Sequence, residues 1–182
     1  MGSPDEFSRL ALPHLDAAHN LAYWIVRNRA DAEDVVHDAY LRAFRAFASF
    51  TEGNIRNWLL AIVRNTAYTA MTRRNRGHNV VSIEEAMLDR ADVDANWVAE
   101  DRSAEDGLIL QEEGRRVRDA LATLAPAFRE VIVLREIEEL SYEDIARILG
   151  VPIGTVMSRL SRARTQLREI YDRNRQGKRD AV

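Results

Sequence analysis

Apolar side chains recur every three or four positions along most of this chain, the period of helices with one buried side. Residues 7–28 carry Leu10, Leu15, Ala18, Leu21, Ala22 and Ile25 on one stripe, with Pro13 marking a possible true start of the helix. In DAEDVVHDAYLRAFRAF, Val36, Ala39, Tyr40, Ala43 and Phe47 form a second stripe, and Asp31 with Asp34 offers a capping pair. The opposite side of that helix shows Asp34, His37, Asp38, Leu41 and Arg45. ASFTEGN has the composition of a loop. A third helix is predicted over residues 54–76, with Trp58, Leu59, Ile62, Val63 and Ala67 apolar and TRRNR at its end. Three helices joined by short loops make a small bundle.

Periodicity then lapses. Residues 78–106 read as an acidic flexible linker with at most one helical turn near residues 83–88; Trp97 is expected to pack within the molecule. Helical spacing returns over residues 107–124, with Leu110, Val117, Leu121 and Leu124 inward, and Pro126 opens the next helix, AFREVIVLREIEEL. The stretch LSYEDIARILGVPIGTVMSRLSRARTQL follows. Ser141 and Asp144 form a capping box, Gly150 suits a left-handed helix end, and Pro152 sits where a new helix can begin. Val156, Leu160, Ala163 and Leu167 make one apolar stripe. Thr155, Ser158, Ser161, Arg162 and Thr165 lie opposite, with Arg159 and Arg164 on the flanks. An apolar back with an Arg, Ser and Thr front is what the reading helix of a DNA-binding helix-turn-helix requires. The expected fold class is all-α. Two small helical domains, a three-helix-type bundle at 1–77 and a helix-turn-helix domain at 107–175, flank the linker, and residues 176–182 form a tail. VVSI is too short and isolated for a strand.

Charge sharpens this division. The formal net charge of −3 argues against indiscriminate nucleic-acid binding. Residues 1–77 hold ten Arg against eight acidic groups, residues 78–106 two against nine, and residues 107–182 fourteen basic against twelve acidic. Two mildly basic blocks therefore flank an acidic one. All but one of the 26 basic residues are Arg, which suits bidentate contacts to phosphate and guanine and equally suits a GC-rich genome. The chain has no cysteine, so it forms no disulfide and no thiolate zinc site of its own. It has no apolar run long enough for a membrane span and no basic-then-apolar leader, so a cytoplasmic location without membrane insertion is expected. No function is placed on the opening MGSPDEF.

Chemistry beyond binding is not indicated. His14, His19, His37 and His78 are scattered. His37 beside Asp34 and Asp38 is read as a polar face, not a metal site. There is no phosphate-binding glycine loop and no nucleophile–base pattern, so neither catalysis, a metal nor a cofactor is expected.

Two stretches together resemble a known family. LAPAFREVIVLREIEELSYEDIARILGVPIGTVMSRLSRAR is similar to the C-terminal DNA-binding domain of bacterial sigma factors. DAEDVVHDAYLRAFRAF with NWLLAIVRNTAYTAMTRR resembles their core-binding and promoter-melting domain. This order, with a linker and nothing else, is the minimal layout of the extracytoplasmic-function (ECF) sigma factors of the sigma-70 family. The resemblance implies a factor that binds core RNA polymerase and directs it to promoter DNA, under control of an anti-sigma factor. Asp34, His37, Asp38, Leu41 and Phe44 match the surface that grips polymerase. Arg56, Arg64, Asn65, Tyr68, Arg73 and Arg74 lie on the element that opens the −10 region, where melted DNA needs a basic track and stacking surfaces. Residues 49–54 match the loop that captures an extruded base. Thr155, Ser158, Arg159, Arg162 and Arg164 are the expected contacts to the duplex −35 element, and Gly154 lets the helix start approach a phosphate.

The chain departs from the family pattern at Met157, where Lys is common, at Thr69, where Asp is common, and at Glu139, where Gly is usual. Two other readings compete: a sigma-like decoy that sequesters an anti-sigma factor, and a plain helix-turn-helix regulator. A decoy need not keep the Arg159, Arg162, Arg164 and Arg73–Arg74 cations, and a plain regulator would not explain the N-terminal bundle.

Overall fold

A computed structural model describes residues 3–50, 53–75 and 107–179. The expected turn at residues 83–88, the packing of Trp97, His78 and the linker itself lie outside the described residues. Those described are helical, with no strand among them. Helices α1 (Pro4–Ala11), α2 (Leu15–Val26), α3 (Arg29–Ala46) and α4 (Ile55–Asn75) build the N-terminal unit. Helices α5 (Gly107–Thr123), α6 (Pro126–Ile132), α7 (Tyr142–Leu149) and α8 (Ile153–Arg179) build the C-terminal one.

The first predicted helix is broken in two. Pro13 lacks an N–H, and a short 3₁₀ turn over Leu12–His14 joins α1 to α2. Ser3 caps α1 by accepting a hydrogen bond from the Glu6 amide at 3.1 Å, so the opening stretch from Ser3 onward is part of the fold. Phe7 then packs edge-on against Tyr40, Phe44 and Phe47, forming a small core with Ala11, Ala43 and Leu59. The Tyr40 hydroxyl donates to the Ala11 carbonyl at 3.0 Å, and burial pushes that phenol up to about 12. Asn28, not Asp31, caps α3: its side chain accepts from the Asp31 amide at 3.0 Å.

In the C-terminal unit, α6 widens into a π-helical segment over Val133–Ile137, where the Glu138 amide bonds to the Val133 carbonyl at 3.0 Å. The helix-turn-helix forms as its sequence requires. Ser141 Oγ accepts from the Asp144 amide at 3.1 Å, and Gly150 ends α7 at φ +66°. Val156, Leu160 and Ala163 of α8 are buried. Val117, expected inward, is exposed and lines a shallow groove with Arg164, Leu167, Arg168 and Tyr171.

The two units are packed together. Helix α6 lies against α2, and α7 against α4. One continuous core runs from Leu21 and Ile25 through Val63 and Ala67 to Val131, Ile145 and Leu160. Helix α4 is consequently buried on two sides. Leu59, Leu60 and Val63 face its own bundle or the shared core, and Arg64 and Tyr68 are buried as well. A single apolar stripe predicts one buried side; the second is supplied by the other unit.

Glu139 adopts φ +54° at an exposed position, the left-handed conformation that glycine reaches without strain. Glu139→Gly is therefore expected to stabilise the chain by about 0.5–1 kcal/mol, a rise of roughly 1–4 °C in Tm by differential scanning calorimetry. A lower Tm would show that the turn gains more from the Glu139 side chain than it loses in backbone strain.

Candidate nucleic-acid interface

Three groups of side chains were expected to act, and the structure treats them differently. The first is the outer side of α3. Asp34, His37, Asp38, Leu41 and Phe44 are all exposed on successive turns, while Ala32, Val35, Val36, Ala39 and Ala43 of the same helix are buried. The result is an open strip of two carboxylates, an imidazole and two large apolar side chains. Leu41 and Phe44, one turn apart, are 41% and 45% exposed and form an apolar pair beside the carboxylates. Among the described residues no group of three His, Asp or Glu side chains is arranged to hold a metal ion.

The second group, on α4, is divided. Asn65 and Arg73 are exposed. Arg74 is exposed and pairs with Asp31 at 2.6 Å. Arg56, Arg64 and Tyr68 face the C-terminal unit instead. Arg64 Nε and Nη2 donate to the two oxygens of Glu130 at 2.9 and 3.2 Å, a fork-to-fork pair. The Tyr68 hydroxyl donates to Glu130 Oε2 at 3.0 Å, and the Arg64 guanidinium lies over the Tyr68 ring at 4.8 Å. Burial pushes the Tyr68 phenol well above the usual tyrosine range, and the neighbouring Glu130 charge adds to it. Burial alone would lower Arg64, but the Glu130 charge and hydrogen bond outweigh it and raise it. Arg56 donates to the Glu138 carboxylate at 2.6 Å and to the Glu138 carbonyl at 3.0 Å, and Asn20 of α2 donates to the same carboxylate at 3.1 Å. Both amide atoms of the buried Asn57, one residue further along α4, have no hydrogen-bond partner among the described residues.

The third group, on α8, is mostly open. Ser158 and Arg162 are exposed, Thr155 is half-buried, and Gly154 has open space around it. Arg164 is held sideways by Glu136, at 2.6 and 3.1 Å. Arg159 turns inward: one guanidinium nitrogen lies 3.9 Å from Glu130 and is buried without a hydrogen bond. Glu130 thus faces cations from both α4 and α8.

Further residues join the units and belong to no recognisable motif. Arg129, beside Glu130, is 1% exposed. Its guanidinium donates to the carbonyls of Leu121, Ala122 and Leu124, at the end of α5, and to that of Trp24, at the end of α2. Helix C-termini leave carbonyls unpaired and carry partial negative charge, so two helix ends together solvate one buried cation. Burial, with the Arg27 charge behind it, pulls Arg129 down to about 10, so it remains protonated at neutral pH. Arg27, in the left-handed conformation at the end of α2, adds a 2.5 Å bond to the Ala122 carbonyl across the units. The charge pair in AFREVIV was the available signal: Arg and Glu side by side on a helix that is otherwise apolar.

The chain is similar to known proteins over both units. Family models for sigma-70 region 2 and sigma-70 region 4 match residues 10–77 and 114–167. The ECF RNA polymerase sigma factor SigE of Mycolicibacterium smegmatis is 37% identical over 93% of this chain, which spans 62% of that protein's length. The ECF RNA polymerase sigma-E factor of Haemophilus influenzae is 36% identical, covering 77% of this chain and 74% of its own. Among solved structures, the sigma factor RpoE from Bartonella quintana, in complex with the anti-sigma factor NepR, superposes with a TM-score of 0.71 at 31% identity, over 92% of this chain and 98% of that one. CnrH, in complex with the cytosolic domain of CnrY, gives 0.64 at 25% identity, over 94% and 90%.

Removing one member of a buried ion pair typically destabilises by about 3–5 kcal/mol, because the other charge is left without a partner. Here Arg64 escapes that penalty if the units part. Glu130→Ala, and Arg64→Met from the other side, are expected to enlarge the radius of gyration in small-angle X-ray scattering while helix content by circular dichroism stays the same. Unchanged compact scattering from both variants would show that the pair does not hold the units together.

Proposed function

The chain belongs to the ECF RNA polymerase sigma factors of the sigma-70 family, and from that premise we propose that it binds core RNA polymerase and directs it to promoters, acting in the cytoplasm as a binding factor and not as an enzyme. The observation that carries this reading is the open front of α8, with Ser158 and Arg162 exposed above a buried Val156–Leu160–Ala163 back. A helix held from behind in this way can enter a major groove without rearrangement. In this reading Arg162, with Ser158 and Thr155, contacts base edges of the −35 element. Arg164, paired with Glu136, serves the flanking backbone, and Arg159 supports the helix from its inner side and does not read bases directly.

The strip Asp34, His37, Asp38, Leu41 and Phe44 is the proposed seat of core polymerase. Its apolar pair supplies contact area, and its carboxylates supply orientation. Arg56, Arg64, Asn65, Tyr68, Arg73 and Arg74 are the proposed track for melted −10 DNA. Three of these, Arg56, Arg64 and Tyr68, are occupied by Glu130 and Glu138 in the closed arrangement. Phosphate oxygens and these carboxylates would compete for the same donors, so use of the −10 track requires the units to separate. An anti-sigma factor that favours the closed arrangement would act through this competition; that similar chains were solved in complex with the anti-sigma factor NepR and with the cytosolic domain of CnrY supports control by a protein partner.

The chain has no helix among the described residues that is long and apolar enough to cross a membrane.

Two outcomes follow. Arg162→Ala is expected to reduce transcription from −35-dependent promoters about 10- to 100-fold, the worth of one good base contact, with core binding unchanged by gel filtration; an equal loss of core binding would remove Arg162 from the −35 contact. The absence of native cysteine makes a second test clean. Asn20→Cys with Glu138→Cys, joined by a short bismaleimide, is expected to lose promoter-specific transcription, while the same double variant left unjoined keeps it. Full activity of the joined form would show that the units need not part.

A further inference from the structure

Two large apolar side chains stand on the open front of α8 where the neighbouring front residues are polar. Met157 is 54% exposed and Ile153, one turn earlier, is 41% exposed. Neither belongs to the shared core, which takes Val156, Leu160 and Ala163 from the same helix. Both lie in the first turns of α8, immediately after the left-handed Gly150, and Met157 is flanked by the exposed Ser158 and followed by Ser161 and Arg162. The first turns of a reading helix are the part that faces base edges, whereas phosphate contacts come from the flanks. A thioether offers no charge to a phosphate and no useful hydrogen bond to a base. The major groove presents one apolar group on its base edges, the C5-methyl of thymine.

We propose that Met157 is a specificity residue that packs on a thymine methyl within the −35 element, with Ile153 extending the apolar surface toward the start of the helix. The inference rests on the promoter-reading role proposed above and adds what that role leaves open, the identity of one base. A basic side chain at this position would tie the helix to the backbone whatever the sequence; Met157 exchanges that sequence-independent attraction for a contact that only thymine offers. Its unbranched, adaptable side chain suits a methyl whose position varies with local groove shape.

The test uses the full chain assembled with core RNA polymerase. A duplex library randomised across the −35 position is first selected by transcription. Each −35 thymine of the selected promoter is then replaced singly by deoxyuridine, which removes the methyl and nothing else. At one thymine the wild-type factor is expected to lose about fourfold in initiation rate, the worth of one buried methyl group. Met157→Ala and Met157→Lys are expected to transcribe thymine and deoxyuridine templates equally at that position. Three results would overturn the proposal: no thymine whose methyl matters to the wild type, a deoxyuridine penalty that survives in Met157→Ala, or loss of core binding by Met157→Ala, which would make the side chain a protein contact. Promoter-specific transcription without any methyl dependence sinks this inference alone. Absence of promoter-specific transcription from the wild type sinks the sigma-factor reading together with it.

Discussion

Arg129 and Glu130 are adjacent, opposite in charge and each 1% exposed. Moving an ion out of water costs several kcal/mol unless its bonding capacity is met in full. Here it is met partly within the C-terminal unit and partly across to the other one. Arg129 keeps the Leu121, Ala122 and Leu124 carbonyls in its own unit and takes Trp24 from α2. Glu130 keeps Arg159 nearby and takes Arg64 and Tyr68 from α4. The arrangement of the whole molecule depends on these two side chains, because they convert an apolar contact, which tolerates sliding, into one with a fixed register. In the proposed parting of the units, Arg129 would lose one of its four acceptors and Arg64 would become free for another anion.

This places the two proposed DNA elements on unequal footing. The α3 strip and the α8 front remain open in the closed arrangement, while half of the α4 set is engaged. A closed factor would therefore present its proposed polymerase-facing surface and its proposed duplex-reading helix without presenting the full proposed track for melted DNA. The net charge of −3 has the same tendency, since it opposes unassisted binding to DNA. Within the proposed reading helix, Arg164 would supply attraction that any sequence satisfies, and Arg162 a contact to a base edge. The exposed Met157 is proposed to add a second contact that depends on the base.

Local features were legible in the sequence because local chemistry decides them. The Ser141 cap, the left-handed Gly150 and the Val156–Leu160–Ala163 stripe formed where their residue types require. So did the opposed buried and exposed sides of α3. Pro13 was a visible break, and a 3₁₀ turn forms around it. What periodicity cannot report is which second surface covers a helix. Arg64 and Tyr68 are polar, lie off the main apolar stripe of α4 and read as a solvent-facing track; they are buried because a carboxylate distant in sequence meets them. Val117 fitted an apolar stripe and is exposed. The carbonyl cradle of Arg129 leaves no trace in the residue types that form it, since any residue supplies a carbonyl.

The central claim is that one set of α4 side chains is held by the C-terminal unit in the free factor and released for DNA in the initiating complex. The most direct measurement is the distance between probes on Arg9→Cys and Gln166→Cys, both exposed positions in separate units, followed by double electron–electron resonance in the free chain, with core polymerase, and on promoter DNA. The account predicts one short distance in the free chain and a longer, single distance in the promoter complex, with Glu130→Ala shifting the free chain toward the longer value. The same short distance in all three states would contradict it.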